Sequence, residues 1–204
     1  MFARRLSTRA PTGAAHEMAT VLDRYDPNAA GIVRSWTNFC ASTLAVVQLR
    51  NGLTGWTVPK FRDEAAGIYS RVGAALAAGD EPALRRLTTR SCFSAMSTSL
   101  KERARGERHR WDALDVAASI KQVRIGHHVS APERRFAQIT ASIDAKLVWT
   151  INDSRGARVG GVGSKASPWG TSDYWVFERC ISEAVEAPAW RLKERLTIAE
   201  PEAE

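Results

Sequence analysis

The chain is poor in cysteine, has no long apolar run, and has no acid near its start. Cys40, Cys92 and Cys180 stand far apart with no Cys-x-x-Cys. That spacing excludes a zinc knuckle and a disulfide framework, and implies a reducing compartment. The most apolar stretch lies between Arg34 and Arg50 and is broken by Asn38, Ser42, Thr43 and Gln48. A membrane span needs about 20 largely apolar residues, so any membrane contact is peripheral. No acid precedes Glu17, while Arg4, Arg5 and Arg9 flank Leu6, Ser7 and Thr8. That is the composition of a mitochondrial transit peptide, with a disordered basic arm as the alternative. There is no His-Glu-x-x-His and no serine nucleophile elbow. Gly156, Gly160, Gly161 and Gly163 precede Lys165, but Ser164 intervenes where a P-loop needs glycine, and Pro168 follows where a dinucleotide fold needs a helix. These are expected to be turn and bulge glycines. His127 and His128 are adjacent, so on a strand they face opposite ways and do not share a metal. No metal and no cofactor are expected.

What the chain has is positive charge and one very regular strand. The net charge is +7, unevenly placed: residues 1–110 carry 17 Lys+Arg against 9 Asp+Glu, and the rest 12 against 13. A basic half of this kind suits phosphate, in RNA or anionic lipid. From Ala137 to Ile151 the odd positions are apolar and the even ones polar up to Val148. A period of two is a half-buried antiparallel strand, here roughly 50 Å long at about 3.3 Å per residue.

Around that strand the order of elements is readable. Residues 1–30 read as transit peptide or disordered arm. Ile32, Val33, Trp36, Phe39, Cys40, Leu44 and Val47 recur at helical spacing, and Gly52 and Gly55 end the segment, so 31–58 forms a helical extension. Pro59 opens a second helix with Phe61, Ala65, Ile68, Tyr69, Val72 and Leu76 as its stripe. Gly79 stops it, and Asp80 caps a short helix over 82–87. A fourth helix covers about 91–105. Strands are expected over 110–117, 120–129, 137–151, 158–162, 173–181 and 190–198, with a hairpin turn at 152–156. Helices followed by an antiparallel meander make an α+β domain over 59–198, its N-terminal helices packed on a curved sheet. An acidic tail, 199–204, closes the chain.

Several residues are candidates for chemistry. Asp144 lies on the polar face of the long strand, either as a general base or as a solvated partner of Lys146. Glu178-Arg179 is a charged pair in an apolar strand. Arg191, Lys193 and Arg195 alternate with apolar residues and read as a one-sided basic stripe, either solvated or on phosphate.

From Phe61 onward the chain resembles a domain shared by two kinds of mitochondrial protein. One is the C-terminal domain of the 44-kDa subunit of the inner-membrane protein translocase. The other is large-ribosomal-subunit protein 45 with its fungal relative, the Mba-type membrane ribosome receptor. The resemblance rests on Phe61, Ala65, Ile68-Tyr69, Ala75-Leu76, Asp80, Leu84 and Leu87-Thr88, then on Trp111, Val123-Arg124, Phe136 to Thr140, Asp153-x-x-Gly156, Gly161, Tyr174 to Arg179 and Trp190-Arg-Leu192. It implies a cone-like fold of the nuclear-transport-factor-2 type. The ribosomal branch implies a structural protein of the mitochondrial large subunit near the tunnel exit. Its partners would be mitochondrial ribosomal RNA, neighbouring large-subunit proteins, the inner-membrane surface and an Oxa-type insertase, with no small-molecule substrate. Arg50, Lys60, Lys101, Arg103, Arg105, Arg108 and Arg110 are the candidate RNA contacts. Trp56, Val58 and Phe61 are the candidate membrane contacts. The alternatives are an import scaffold binding anionic lipid, and a small-ligand enzyme with a cone-like fold.

Overall fold

A computed structural model describes residues 17–28, 31–103, 106–182 and 189–196. The expected transit peptide over its first sixteen positions, Arg105 and the acidic tail lie outside the described residues.

Four helices come first: α1 (Ile32–Gly52), α2 (Val58–Ala78), α3 (Glu81–Leu87) and α4 (Arg90–Lys101). Their ends follow local chemistry. Thr57 accepts from the Lys60 backbone N–H at 3.3 Å, and Pro59 sits in the first turn of α2. Gly79 closes α2 at φ 70°, a left-handed conformation that favours glycine. Asp80 and Thr89 cap α3 and α4. The fourth helix stops at Lys101, four residues short of the expected end.

Five strands follow: β1 (Arg108–His128), β2 (Ala131–Asn152), β3 (Arg158–Val162), β4 (Trp169–Cys180) and β5 (Arg191–Leu196). They form one antiparallel sheet ordered β1-β2-β4-β5, with β3 also on β2. The α+β class, helices on a curved antiparallel sheet, is as expected. The two strands expected over 110–117 and 120–129 are one. Register shifts between Ala113 and Asp115 and between Ile120 and Gln122 bend β1 without ending it. The glycine-rich stretch forms a turn and a bulge, as expected. Asp153 carboxylate accepts from the Arg155 and Ala157 N–H groups at 2.9 Å each. Gly161 has φ 104°, and a Cβ there would meet the Trp149 carbonyl at 2.0 Å.

The core lies between α2 and the inner face of the sheet. Phe61, Ala65, Ile68, Tyr69 and Val72 pack on the odd-numbered residues of β2 and on Trp175, Phe177 and Trp190. Phe61 meets Trp190 and Phe177 edge-on, at 4.9 and 5.7 Å between ring centres. Gly73 lets α2 approach β1, since a Cβ there would lie 2.4 Å from the Trp111 indole.

One departure concerns β2 itself. It is buried on both faces from Phe136 to Ile143, so Gln138, Thr140 and Ser142 are not solvated. Residues 17–28 contain no helix or strand, and their first part crosses this outer face. Met18 packs with Phe136 and Cys180, and Leu22 lies against that cluster.

Candidate functional site

Helix α1 is turned the opposite way from an ordinary amphipathic core helix. β1 is the edge of the sheet, and its outward backbone groups need partners. Asn38 Nδ2 donates to the Lys121 carbonyl at 3.2 Å, and the Val123 N–H donates to Ser42 Oγ at 3.1 Å. Arg124 adds bonds to Asn38 Oδ1 and Ser42 Oγ at 2.8 and 3.0 Å. A helix that satisfies a sheet edge must present polar residues inward. Its apolar stripe therefore points outward: Ile32, Val33, Trp36, Phe39, Leu44 and Val47 are 47% to 91% exposed. Trp36 and Phe39 stack at 5.8 Å, and Cys40 is exposed beside them. A contiguous apolar patch of this kind marks a contact surface.

The residues expected from sequence to face the membrane lie elsewhere. Trp56 and Phe61 are 8% and 1% exposed and belong to the core, and Val58 is half-buried against it. The cause is the α1–α2 turn, which tucks Trp56 under the helices while α2 lays Phe61 on the sheet.

The seven expected cations divide. Arg50, Lys101 and Arg108 are exposed. Arg110 is exposed and paired with Asp112 at 2.9 Å. Lys60 Nζ donates to the Gly55 carbonyl at 3.0 Å, closing the turn before α2. Arg103 is structural: its guanidinium donates to the Ala77 and Leu76 carbonyls at 3.1 and 2.5 Å, at the open end of α2. Burial holds its pKa below the ordinary guanidinium value, with Glu107 opposing that shift. Arg105 lies outside the described residues.

Two other expected groupings are broken by geometry. Glu178 and Arg179 point to opposite faces. Glu178 Oε1 accepts from the Met18 N–H at 3.0 Å, and its Oε2 accepts from Gln138 Nε2 at 2.8 Å. Burial pushes its carboxyl up, against the opposing pull of Lys193 and of these hydrogen bonds. Arg179 faces α2, where burial lowers its pKa and Glu64 opposes that shift. The basic stripe of β5 does not form, because a register shift between Val176 and Phe177 breaks the alternation. Arg195 pairs with Asp173 at 2.7 Å. Lys193 is buried, with Nζ donating to the Met18 carbonyl and to Ser91 Oγ.

The cluster of Gln138, Glu178 and Lys193 beneath residues 17–25 was missed from sequence. Its signal was faint: Phe136 and Val176 are apolar residues on the otherwise polar side of their strands. Asp144 remains exposed beside Lys146 on that side. Among the described residues, no three His, Cys, Asp or Glu are placed to hold a metal, and no helix is long and apolar enough to cross a membrane.

Comparison with known proteins gives one family. Residues 42–196 match the Tim44-like domain. No curated protein matches the chain in sequence. Among solved structures, the intermembrane-space region of the chloroplast protein ARC6 is similar at TM-score 0.45 and 10% identity, covering 71% of this chain and 98% of that one. The Tim44-like family is mitochondrial and associated with the inner membrane, and its domains are scaffold and binding domains. With α2 to α4 and the whole sheet inside the matched stretch, this chain belongs to the Tim44-like domain family.

Proposed function

We propose that the protein is a non-catalytic adaptor that lies on the matrix side of the inner membrane and holds the mitochondrial large ribosomal subunit there. The observation that carries this reading is the outward apolar face of α1. A helix with stacked aromatics on its exposed side suits the boundary between headgroups and acyl chains. The cations that suit RNA lie elsewhere. Lys101, Arg108 and Arg110 cluster near the start of β1, whereas α1 meets β1 at Lys121 to Arg124. At about 3.3 Å per residue the two regions are separated by roughly 40 Å measured along the strand. One end of the molecule thus suits lipid and the other phosphate. Ile139, Ile143, Leu147 and Phe177 fill the inner face of the sheet with no exposure, which favours an adaptor over a small-ligand enzyme.

Sedimentation of solubilised mitochondria tests the reading. The protein should travel with large ribosomal subunits in mild salt, and Lys101→Glu with Arg108→Glu should release it. Persistence of the wild type in ribosome-free fractions refutes the ribosomal role. In that case, retention on membranes of unsolubilised mitochondria, lost when α1 is altered, would instead favour the second reading, an import scaffold on anionic lipid.

A further inference from the structure

The outer face of β2, β4 and β5 reads the backbone of residues 17–25. The Met18 N–H donates to Glu178 Oε1 at 3.0 Å, and Lys193 Nζ donates to the Met18 carbonyl. Gln138 Nε2 donates to the Thr20 carbonyl at 2.9 Å, and the Leu22 N–H donates to Gln138 Oε1 at 2.7 Å. Recognition falls on positions 18, 20 and 22 of a non-helical segment that bends at residues 19, 20, 22 and 23. A carboxylate for an N–H and an ammonium for a carbonyl are charge-assisted readers of groups that every polypeptide carries. Two apolar side chains four residues apart rest on the sheet: Met18 is buried and Leu22 half-buried, while Tyr25 lies against Tyr174 at 5.4 Å. Met18 lies over Phe136 and Cys180. Leu22 lies over Gly126, where a Cβ would come within 2.7 Å of it, so glycine opens the seat.

We propose that this face is a docking groove for a non-helical polypeptide with apolar side chains four residues apart, and that residues 17–25 occupy it in cis. Two further observations support a displaceable occupant. Among the described residues, no backbone-to-backbone hydrogen bond joins 17–28 to the sheet. A segment held by side chains alone opens more readily than a strand in a ladder. The readers Gln138, Glu178 and Lys193 all fall within the family domain, residues 42–196, and the occupant falls outside it. The groove therefore belongs to the domain, and the segment that fills it belongs to this chain's extension. Beyond Leu22 the segment is clamped by two ion pairs, Asp23 with the largely buried Arg124 at 2.6 Å and Arg24 with Glu194 at 2.7 Å, the second of them exposed and weakened by salt.

The test uses the full chain with residues 18–22 replaced by alternating glycine and serine and with Asp23→Ala and Arg24→Ala, which removes the apolar anchors and ion pairs that hold the segment and so releases it from the groove. A fluorescent peptide of residues 17–26 is titrated into it and followed by anisotropy. Saturable binding is expected, at least tenfold tighter than to the intact chain, and weakened at least tenfold by Gln138→Ala. Unlabelled peptides of unrelated sequence should compete if they keep apolar residues at the Met18 and Leu22 positions. The proposal falls if the folded, emptied chain does not bind, or if only the native segment's own sequence competes. If the emptied chain does not fold, amide exchange of the intact chain decides. Met18 and Leu22 amides exchanging well before those of β2 and β4 support the groove, and exchange together with the sheet overturns it.

Discussion

Replacing Trp36 and Phe39 together by alanine should detach the protein from membranes without unfolding it. The two rings are 65% and 61% exposed. Aromatic side chains of this type bury about 200 Å² each, so the pair offers roughly 250 Å² to a lipid surface. At about 25 cal/mol per Å² that is worth about 6 kcal/mol on complete burial. A helix lying at the headgroup boundary buries about half its girth, which leaves roughly 3 kcal/mol, or about a hundredfold in partition. Flotation with vesicles containing anionic lipid measures this directly. A fluorophore on Cys40, on the same face, reports insertion by its blue shift. The folded state should hardly respond, since exposed substitutions usually fall within about 0.5 kcal/mol. Trp56→Ala is the contrasting control: it cuts into the core and should cost about 3 kcal/mol or more of stability. Undiminished flotation of a normally melting W36A/F39A variant would refute the assignment of α1 to the membrane.

Gly73→Ala forces a methyl group into the Trp111 indole and should cost about 1–3 kcal/mol in urea unfolding, with Trp111 as an optical probe. Glu178 binds a proton more tightly when folded than when unfolded, because burial raises its pKa despite Lys193, Gln138 and the Met18 N–H, while Glu17 adds to the rise. Its contribution is therefore most favourable below the ordinary glutamate value and is lost as pH climbs through the raised one. Unfolding midpoints across that window should flatten in Glu178→Gln. In a maleimide titration the exposed Cys40 should react at once. Cys180 is buried, and burial pushes Cys92 up to about 12 against the pull of Lys193, so both should react only in denaturant.

The sequence was most legible where one physical demand acted alone. The stripe from Phe61 to Val72 and the alternation from Ala137 to Leu147 answer only to burial, and both elements formed as read. Gly79, Asp80 and Asp153 carry local backbone chemistry and were equally plain. Legibility failed where two demands met. In α1 the apolar spacing showed the helix but not which way it faces, because Asn38 and Ser42 answer to the open edge of β1 rather than to the core. In β2 the polar residues Gln138 and Ser142 read as solvated, yet they are covered by a segment more than a hundred residues away. No local pattern announces such a partner. In β5 a single extra residue turned Lys193 to the outer face beneath Met18, and a shift of one position is invisible to alternation. The membrane-facing cluster at Trp56 to Phe61 failed for a related reason: aromatic residues beside a lysine look the same whether they enter a core or a bilayer.

Met18 meets Glu178 and Lys193, partners 160 and 175 residues further along the chain. A polypeptide is synthesised from its N-terminus, so the first of these groups emerges early and the last almost at the end. For nearly the whole of synthesis, then, Met18 and Leu22 are without their seats. The sheet can pair strand by strand as it arrives, because β1 and β2 are neighbours in sequence. The crossing segment cannot: its contacts are complete only once β5, which carries Lys193, is in place.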